Sequence, residues 1–259
     1  MPNFAISSWS VDGLLTSGLP LLDLPAAMRE QGLETLELCH FHLPSTEPAY
    51  LADFRAALTT SNIELFSLLI DTGDIASADP DVLLESLGTI RRFIRVAASL
   101  GAQRVRISAG QQPATPETLA RSAAHLAELM DDAKAQGVEV STENWQLTAQ
   151  QPEDLLTILE TAPEGLGLCA DTGNAEATPD KYETLGKLLP HATSVHFKAR
   201  RQGGTIDQSD VQRCLELMRS AVFSGPVSLI YDGKKSEWDE LRNLKKALES
   251  VTHVGAVSD

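Results

Sequence analysis

The sequence predicts a (β/α)8 barrel (a TIM barrel of the α/β class) forming a single domain. Three observations carry that prediction. Short β-prone runs alternate with longer helical runs about eight times from end to end. The length, 259 residues, suits one such barrel and one large core. No GxGxxG follows a strand, as a doubly wound dinucleotide-binding sheet would show. No linker or low-complexity tract divides the chain, so residues 1–259 read as one domain, with a frayed tail over 251–259.

The expected strands are 3–9, 33–39, 63–70, 103–109, 138–144, 166–171, 193–198 and 226–232. Each is short and rich in Val, Ile, Leu or Phe. The expected helices are 21–31, 47–61, 80–100, 116–136, 152–161, 180–189, 208–220 and 237–250. Asp79-Pro80, Thr115-Pro116 and Gln151-Pro152 put proline at or near the first helical position, where its missing N–H costs nothing. Gly32, Gly101 and Gly137 follow helical runs as stop signals.

Charge and cysteine usage narrow the function classes. There are 21 Lys plus Arg against 36 Asp plus Glu, a formal net charge of −15. That balance opposes binding to nucleic acid and docking on anionic membranes. Cys39, Cys169 and Cys214 are scattered and odd in number, which argues against a secreted disulfide framework and for the cytoplasm. The opening MPNFAISSWS has neither the basic nor the apolar region of a signal peptide, and no apolar run is long enough to span a membrane.

Period two sorts each strand into two faces. Leu36 and Leu38 point out to the helices, so Glu37 points in. By the same rule Arg106, Ser141, Glu143, Cys169, Asp171, His196, Lys198, Ser228, Ile230 and Asp232 face the interior. Buried charge is costly unless paired, so this group needs partners. In a barrel the C-terminal strand ends carry the active site. Glu143, Asp171 and His196 end three consecutive strands there. Two carboxylates and an imidazole suit a divalent ion such as Mn2+, Mg2+, Co2+ or Zn2+; the alternative is a metal-free salt-bridge network with Arg106 and Lys198.

The segments LLIDTGDIA (68–76), LGAQRVRISAG (100–110), STENW (141–145), LCADTGN (168–174), SVHFKA (194–199) and SGPVSLIYDG (224–233) carry a resemblance. The chain resembles the xylose isomerase-like TIM-barrel superfamily, in its sugar phosphate isomerase/epimerase group, over nearly its whole length. The resemblance implies an isomerase or epimerase acting on a small sugar-like substrate next to a carbonyl, and it suggests a homodimer. It also implies that Glu143, Asp171 and His196 match three of four metal ligands. The fourth, usually a Glu on the last strand, is Ile230 here. In such epimerases two glutamates flank the substrate carbon; Glu143 remains as a base and its partner does not. Single-base chemistry, as in a lyase or dehydratase, gains weight, and a non-catalytic sugar-binding barrel is the alternative. An abasic-site endonuclease of the same superfamily would need a His-rich zinc cluster and a basic face, which six His and a charge of −15 do not supply.

The remaining candidates each have two readings. Asp232 either ligates the metal from a higher layer or caps the turn at Gly233. Lys198 either binds an oxyanion or acts as an acid, or forms a salt bridge to Asp171 or Asp232. Arg106 and Glu37 are expected at the substrate, though Arg106 also suits Glu37 or Glu143 as a counter-ion. Trp9 and Trp145 either stack on a sugar face or simply pack. His40 and His42 form a possible metal pair in the loop after strand two. Arg200, Arg201, Lys234 and Lys235 beside Gly203-Gly204 are either a phosphate site or solvated loop charges.

Overall fold

The computed structural model describes residues 3–233 and 236–254. Eight parallel strands close into a barrel: β1 (Phe4–Ser7), β2 (Thr35–Cys39), β3 (Glu64–Ile70), β4 (Arg104–Ile107), β5 (Glu139–Glu143), β6 (Gly167–Asp171), β7 (Ser194–Phe197) and β8 (Val227–Leu229). Strand β8 closes the ring by pairing with both β7 and β1. Eight principal helices surround it: α1 (Leu24–Glu30), α2 (Pro48–Thr60), α3 (Pro80–Leu100), α4 (Pro116–Lys134), α5 (Pro152–Thr161), α6 (Lys181–Leu188), α7 (Gln208–Ser220) and α8 (Glu237–Val254).

The strand faces sort as their alternation requires. Leu36, Leu38, Val105, Ile107, Val140, Leu168, Ala170, Val195, Phe197, Val227 and Leu229 join the apolar layer between barrel and helices. Burial of that layer is the main force closing the barrel, at about 25 cal/mol per Å² of apolar surface. Helix starts follow the local chemistry. Asp79 accepts hydrogen bonds from the backbone N–H of Asp81 and Val82 ahead of α3. Thr115 and Thr118 form a reciprocal capping box at α4. Gly101 ends α3 at φ 78°, a left-handed conformation that favours glycine.

Several boundaries differ from expectation. The first strand stops at Ser7, whose Oγ accepts from the Trp9 N–H and starts a 3-10 turn over Ser8–Val11. A short helix, Asp12–Thr16, follows. The last strand was expected to run to Asp232. Its ladder ends with Ile230 N donating to Phe197 O, and the next N–H, of Tyr231, turns away to Ser10 Oγ. The helix expected over 21–31 divides into a 3-10 turn, Leu21–Asp23, and α1. Arg201–Gln202 and Thr205–Ile206 form a small antiparallel hairpin after β7. The expected frayed tail is helical over 251–254, and 255–259 lie outside the described residues.

Candidate active site

The C-terminal ends of the strands bring Glu143, Asp171 and His196 together. His196 is the hub. Its Nε2 lies 2.8 Å from Glu37 Oε2, and its Nδ1 lies 3.6 Å from Glu143 Oε2 and 3.5 Å from Asp171 Oδ2. Glu37 thus holds one ring nitrogen and leaves the other facing two carboxylates. Burial alone pushes the imidazole towards the neutral form. The nearby Cys169, Glu37, Glu143 and Asp171 outweigh it and raise the His196 pKa well above its ordinary value. Burial raises the Glu37 and Asp171 carboxyls, but His196 wins in both and the net direction is down. Asp171 is helped by backbone N–H groups of Asn174 and Gly173.

Arg106 stands on the other side of Glu143. It pairs with Asp71 and places Nε 3.0 Å from Glu143 Oε2. Burial disfavours the guanidinium charge, but Asp71 and Glu143 more than restore it. Glu143 Oε1 accepts a 2.7 Å hydrogen bond from Asn174 Nδ2. Glu143 Oε2 is buried and has no hydrogen-bond partner, because Arg106 meets it off the hydrogen-bond direction. The ligand atoms of Glu143, Cys169 and His196 all lie within 4.8 Å of one another.

This arrangement fits a divalent ion. Donor atoms held at about 2.0–2.2 Å by a tetrahedral ion lie about 3.3–3.6 Å apart. Two of the separations, from His196 Nδ1 to Asp171 Oδ2 and to Glu143 Oε2, are of that size at 3.5 and 3.6 Å, while the ligand atoms that all lie within 4.8 Å of one another among the described residues are those of Glu143, Cys169 and His196, without Asp171. Charge points the same way. Four carboxyl groups, Glu37, Asp71, Glu143 and Asp171, face two cations, Arg106 and His196, so negative charge is in excess.

A cavity of about 240 Å³ opens above the cluster and is lined by Trp9, Arg106, Glu143, Trp145, Asp171, His196, Lys198 and Ile230, among others. Trp9 is 47% exposed and meets Phe41 edge to face. Trp145 lies under the Arg106 guanidinium, 5.1 Å from its ring centre. Two of the expected site residues bond to other members of the site. Glu37, expected at the substrate, is 2% exposed, does not line the cavity and bonds to His196 instead. Asp232, expected as a tentative metal ligand, holds Lys198 Nζ at 2.6 Å and lines a neighbouring pocket of about 330 Å³. Gly233 packs so closely on the Tyr231 ring that a Cβ there would lie 2.1 Å from Oη.

The loop histidines do not form a metal pair. His42 bridges Ser8 Oγ and Asp12 Oδ1, while His40 Nδ1 accepts from the Asp71 backbone. Arg200 is paired with Glu176 and Arg201 with Glu240. Lys234 and Lys235 lie outside the described residues.

A family model for the xylose isomerase-like TIM barrel matches residues 25–252. The chain belongs to the xylose isomerase-like TIM-barrel family. Solved structures agree on the fold. An L-ribulose 3-epimerase superposes with a TM-score of 0.79 at 18% identity, covering 98% of this chain and 97% of that one. A D-tagatose 3-epimerase-like protein gives 0.78 at 20% identity, covering 99% and 100%. A xylose isomerase-like TIM-barrel protein from Mycobacterium smegmatis, in complex with magnesium, gives 0.70 at 19% identity over 92% and 91%. No curated protein matches the sequence. Among the described residues no helix is long and apolar enough to cross a membrane.

Within this xylose isomerase-like barrel, four site residues escaped the sequence reading. Asp71 is the second partner of Arg106. Asn174 braces both Glu143 and, through its backbone N–H, Asp171 Oδ1. Asn144 ties β5 to β6 by bonding the N–H and the C=O of Asp171. Cys169 was placed inward but given no role. The available signal was position: Asn144, Asn174 and Cys169 lie within three residues of a strand-end charge, and Asp71 directly follows β3.

Proposed function

We propose that the chain is a metal-dependent isomerase/epimerase-like enzyme acting on a small sugar or polyol derivative, by proton abstraction next to a carbonyl. The observation that carries this reading is the buried Glu143 Oε2, which accepts no hydrogen bond among the described residues and lies 3.6 Å from His196 Nδ1, itself 3.5 Å from Asp171 Oδ2. Glu143, Asp171 and His196 would hold a divalent cation, one of Mn2+, Mg2+, Co2+ or Zn2+. When bound, it supplies a Lewis acid for adjacent carbonyl and hydroxyl oxygens of the substrate. The epimerase and magnesium-bound neighbours of the same fold support this assignment.

The chain's own residues supply the rest. Glu143 is the base: its carboxylate takes the C–H proton, and the electron pair moves onto the carbonyl oxygen to give an enediolate. Asn174 fixes the orientation of Glu143 through Oε1. The Lys198 ammonium, held by Asp232, stands on the Ile230 side of the cavity. It neutralises an oxyanion or returns a proton to carbon, and solvent then restores both groups. Such general acid–base help is worth roughly 10²–10⁴-fold in rate. Trp9 and Trp145 offer ring surface to the sugar, and Arg106 reaches its hydroxyl groups. The three cysteines are free and buried, which favours a reducing, cytoplasmic setting.

Ile230 favours a second reading. With an apolar side chain where a second carboxylate would stand, one base serves both proton transfers, or the intermediate expels a hydroxyl group as in a dehydratase. One experiment tests both. Metal-loaded protein is incubated in D2O with ketopentoses, ketohexoses and polyol-derived ketones, and followed by NMR. Deuterium beside the carbonyl with a new sugar supports the isomerase/epimerase, and a deoxy-keto product supports the dehydratase. Binding without exchange would leave a non-catalytic sugar-binding barrel.

A further inference from the structure

Ile230 offers the cavity no donor atom, and the interior holds another candidate. Cys169 stands opposite Glu143 in the β5–β6 register and two residues before Asp171 on the same inward face. Its ligand atom lies within 4.8 Å of those of Glu143 and His196. A tetrahedral ion with a thiolate at about 2.3 Å needs sulfur-to-nitrogen separations of about 3.6 Å, a value inside the 4.8 Å limit that these atoms meet. The other cysteines are engaged elsewhere: Cys39 Sγ lies 3.7 Å from Ser7 Oγ, and Cys214 donates to Asp210. The unpartnered Glu143 Oε2 belongs to the same group of atoms, so the thiol is not an isolated cysteine.

We propose that Cys169 is a further protein ligand beside Glu143 and His196, adding a thiolate to the carboxylate and imidazole donors, and that the site therefore selects Zn2+ or Co2+ over Mg2+. The chemistry is one of ligand softness. Mg2+ prefers oxygen and keeps its waters, whereas Zn2+ and Co2+ accept sulfur readily. Ile230 contributes no hard donor, and Cys169 adds a soft one from β6. A bound dication deprotonates the thiol, so ligation releases a proton to solvent. The inference rests on the proposed metal site at Glu143, Asp171 and His196.

The test uses Co2+ as its probe. The full-length protein is stripped with chelator and titrated with Co2+ while its absorption spectrum is recorded. Visible ligand-field bands report that the ion is bound, and an ultraviolet band reports thiolate-to-cobalt charge transfer. Both are expected in the native protein. Cys169→Ala should keep the visible bands, lose the ultraviolet band, and reduce preference for Zn2+ over Mg2+ by about tenfold or more. X-ray absorption at the cobalt edge of the unmutated protein should show sulfur at about 2.3 Å, a readout that holds even if the variant misfolds. Visible bands without sulfur would overturn the role of Cys169 and leave the three-residue site standing. Failure to bind Co2+ at all would overturn both. An ultraviolet band that survives in Cys169→Ala would assign the thiolate to another cysteine and overturn the proposal.

Discussion

Glu37→Gln separates a residue that supports the metal ligand from one that touches substrate. Glu37 is 2% exposed, and its Oε2 lies 2.8 Å from His196 Nε2. The carboxylate fixes the ring so that Nδ1 faces Glu143 and Asp171, and it raises the basicity of the imidazole. Glutamine keeps the shape and can still accept the hydrogen bond, but it removes the charge. Loss of such a supporting carboxylate weakens metal binding by about 10–100-fold, or about 1.4–2.7 kcal/mol. Glu37→Ala also removes the acceptor and leaves His196 Nε2 buried without a partner, so a larger effect is expected, with destabilisation of about 3–5 kcal/mol. The assay is competition with a chelator of known affinity, beside thermal melts with and without metal. At saturating metal the KM of Glu37→Gln should equal that of the unmutated protein, because Glu37 does not line the cavity. Unchanged metal affinity with a raised KM would refute this reasoning and return Glu37 to the substrate.

Glu143→Gln should lower turnover by about 10²-fold or more and weaken metal binding, with circular dichroism unchanged; wild-type turnover would remove Glu143 as the base. Metal affinity should rise with pH. In the metal-free protein the His196 pKa is raised well above its ordinary value, so the ion must displace that proton, and binding should tighten by up to about tenfold per pH unit for each proton displaced, that of His196 and, where Cys169 ligates, that of its thiol. The same raised pKa means that the stability His196 contributes to the metal-free protein is fully present below about pH 6.5 and lost as pH rises through the folded value, which urea melts across pH would read. Lys198→Met should lower turnover while leaving metal affinity unchanged, measured on the same preparations; a parallel loss of metal would make Lys198 part of the ion's environment. Gly225→Ala should destabilise the barrel by about 1–3 kcal/mol or more, since a Cβ there would lie 2.3 Å from the Thr193 backbone oxygen, and a thermal melt checks it.

The face of each strand was legible in the sequence, whereas depth and partnership were not. Alternation placed Leu36 and Leu38 outward and Glu37 inward, and all three lie so. The same alternation gave Glu37 and Glu143 equal standing as interior acids. Which one reaches the cavity depends on strand stagger around the closed ring, a property that no single strand encodes. Glu37 meets His196 across 159 residues of sequence. The end of β8 was overestimated for a related reason. PVSLIYD keeps its alternation through Asp232, but the Tyr231 N–H finds a side-chain acceptor, Ser10 Oγ, on a distant turn. Short turns such as Ser8–Val11 and Asn174–Ala177 carry too few residues to show a period. One of them supplies Asn174, whose side chain donates to Glu143 Oε1.

Anomalous scattering tests the account most directly. Crystals of stripped protein soaked in Zn2+ or Co2+ would be measured on either side of the metal's absorption edge. The account predicts one strong peak at coordination distance from Glu143, Asp171 and His196 Nδ1, with His196 Nε2 still on Glu37. A map with no peak there, or with its peak beside Lys198 and Asp232, would contradict it.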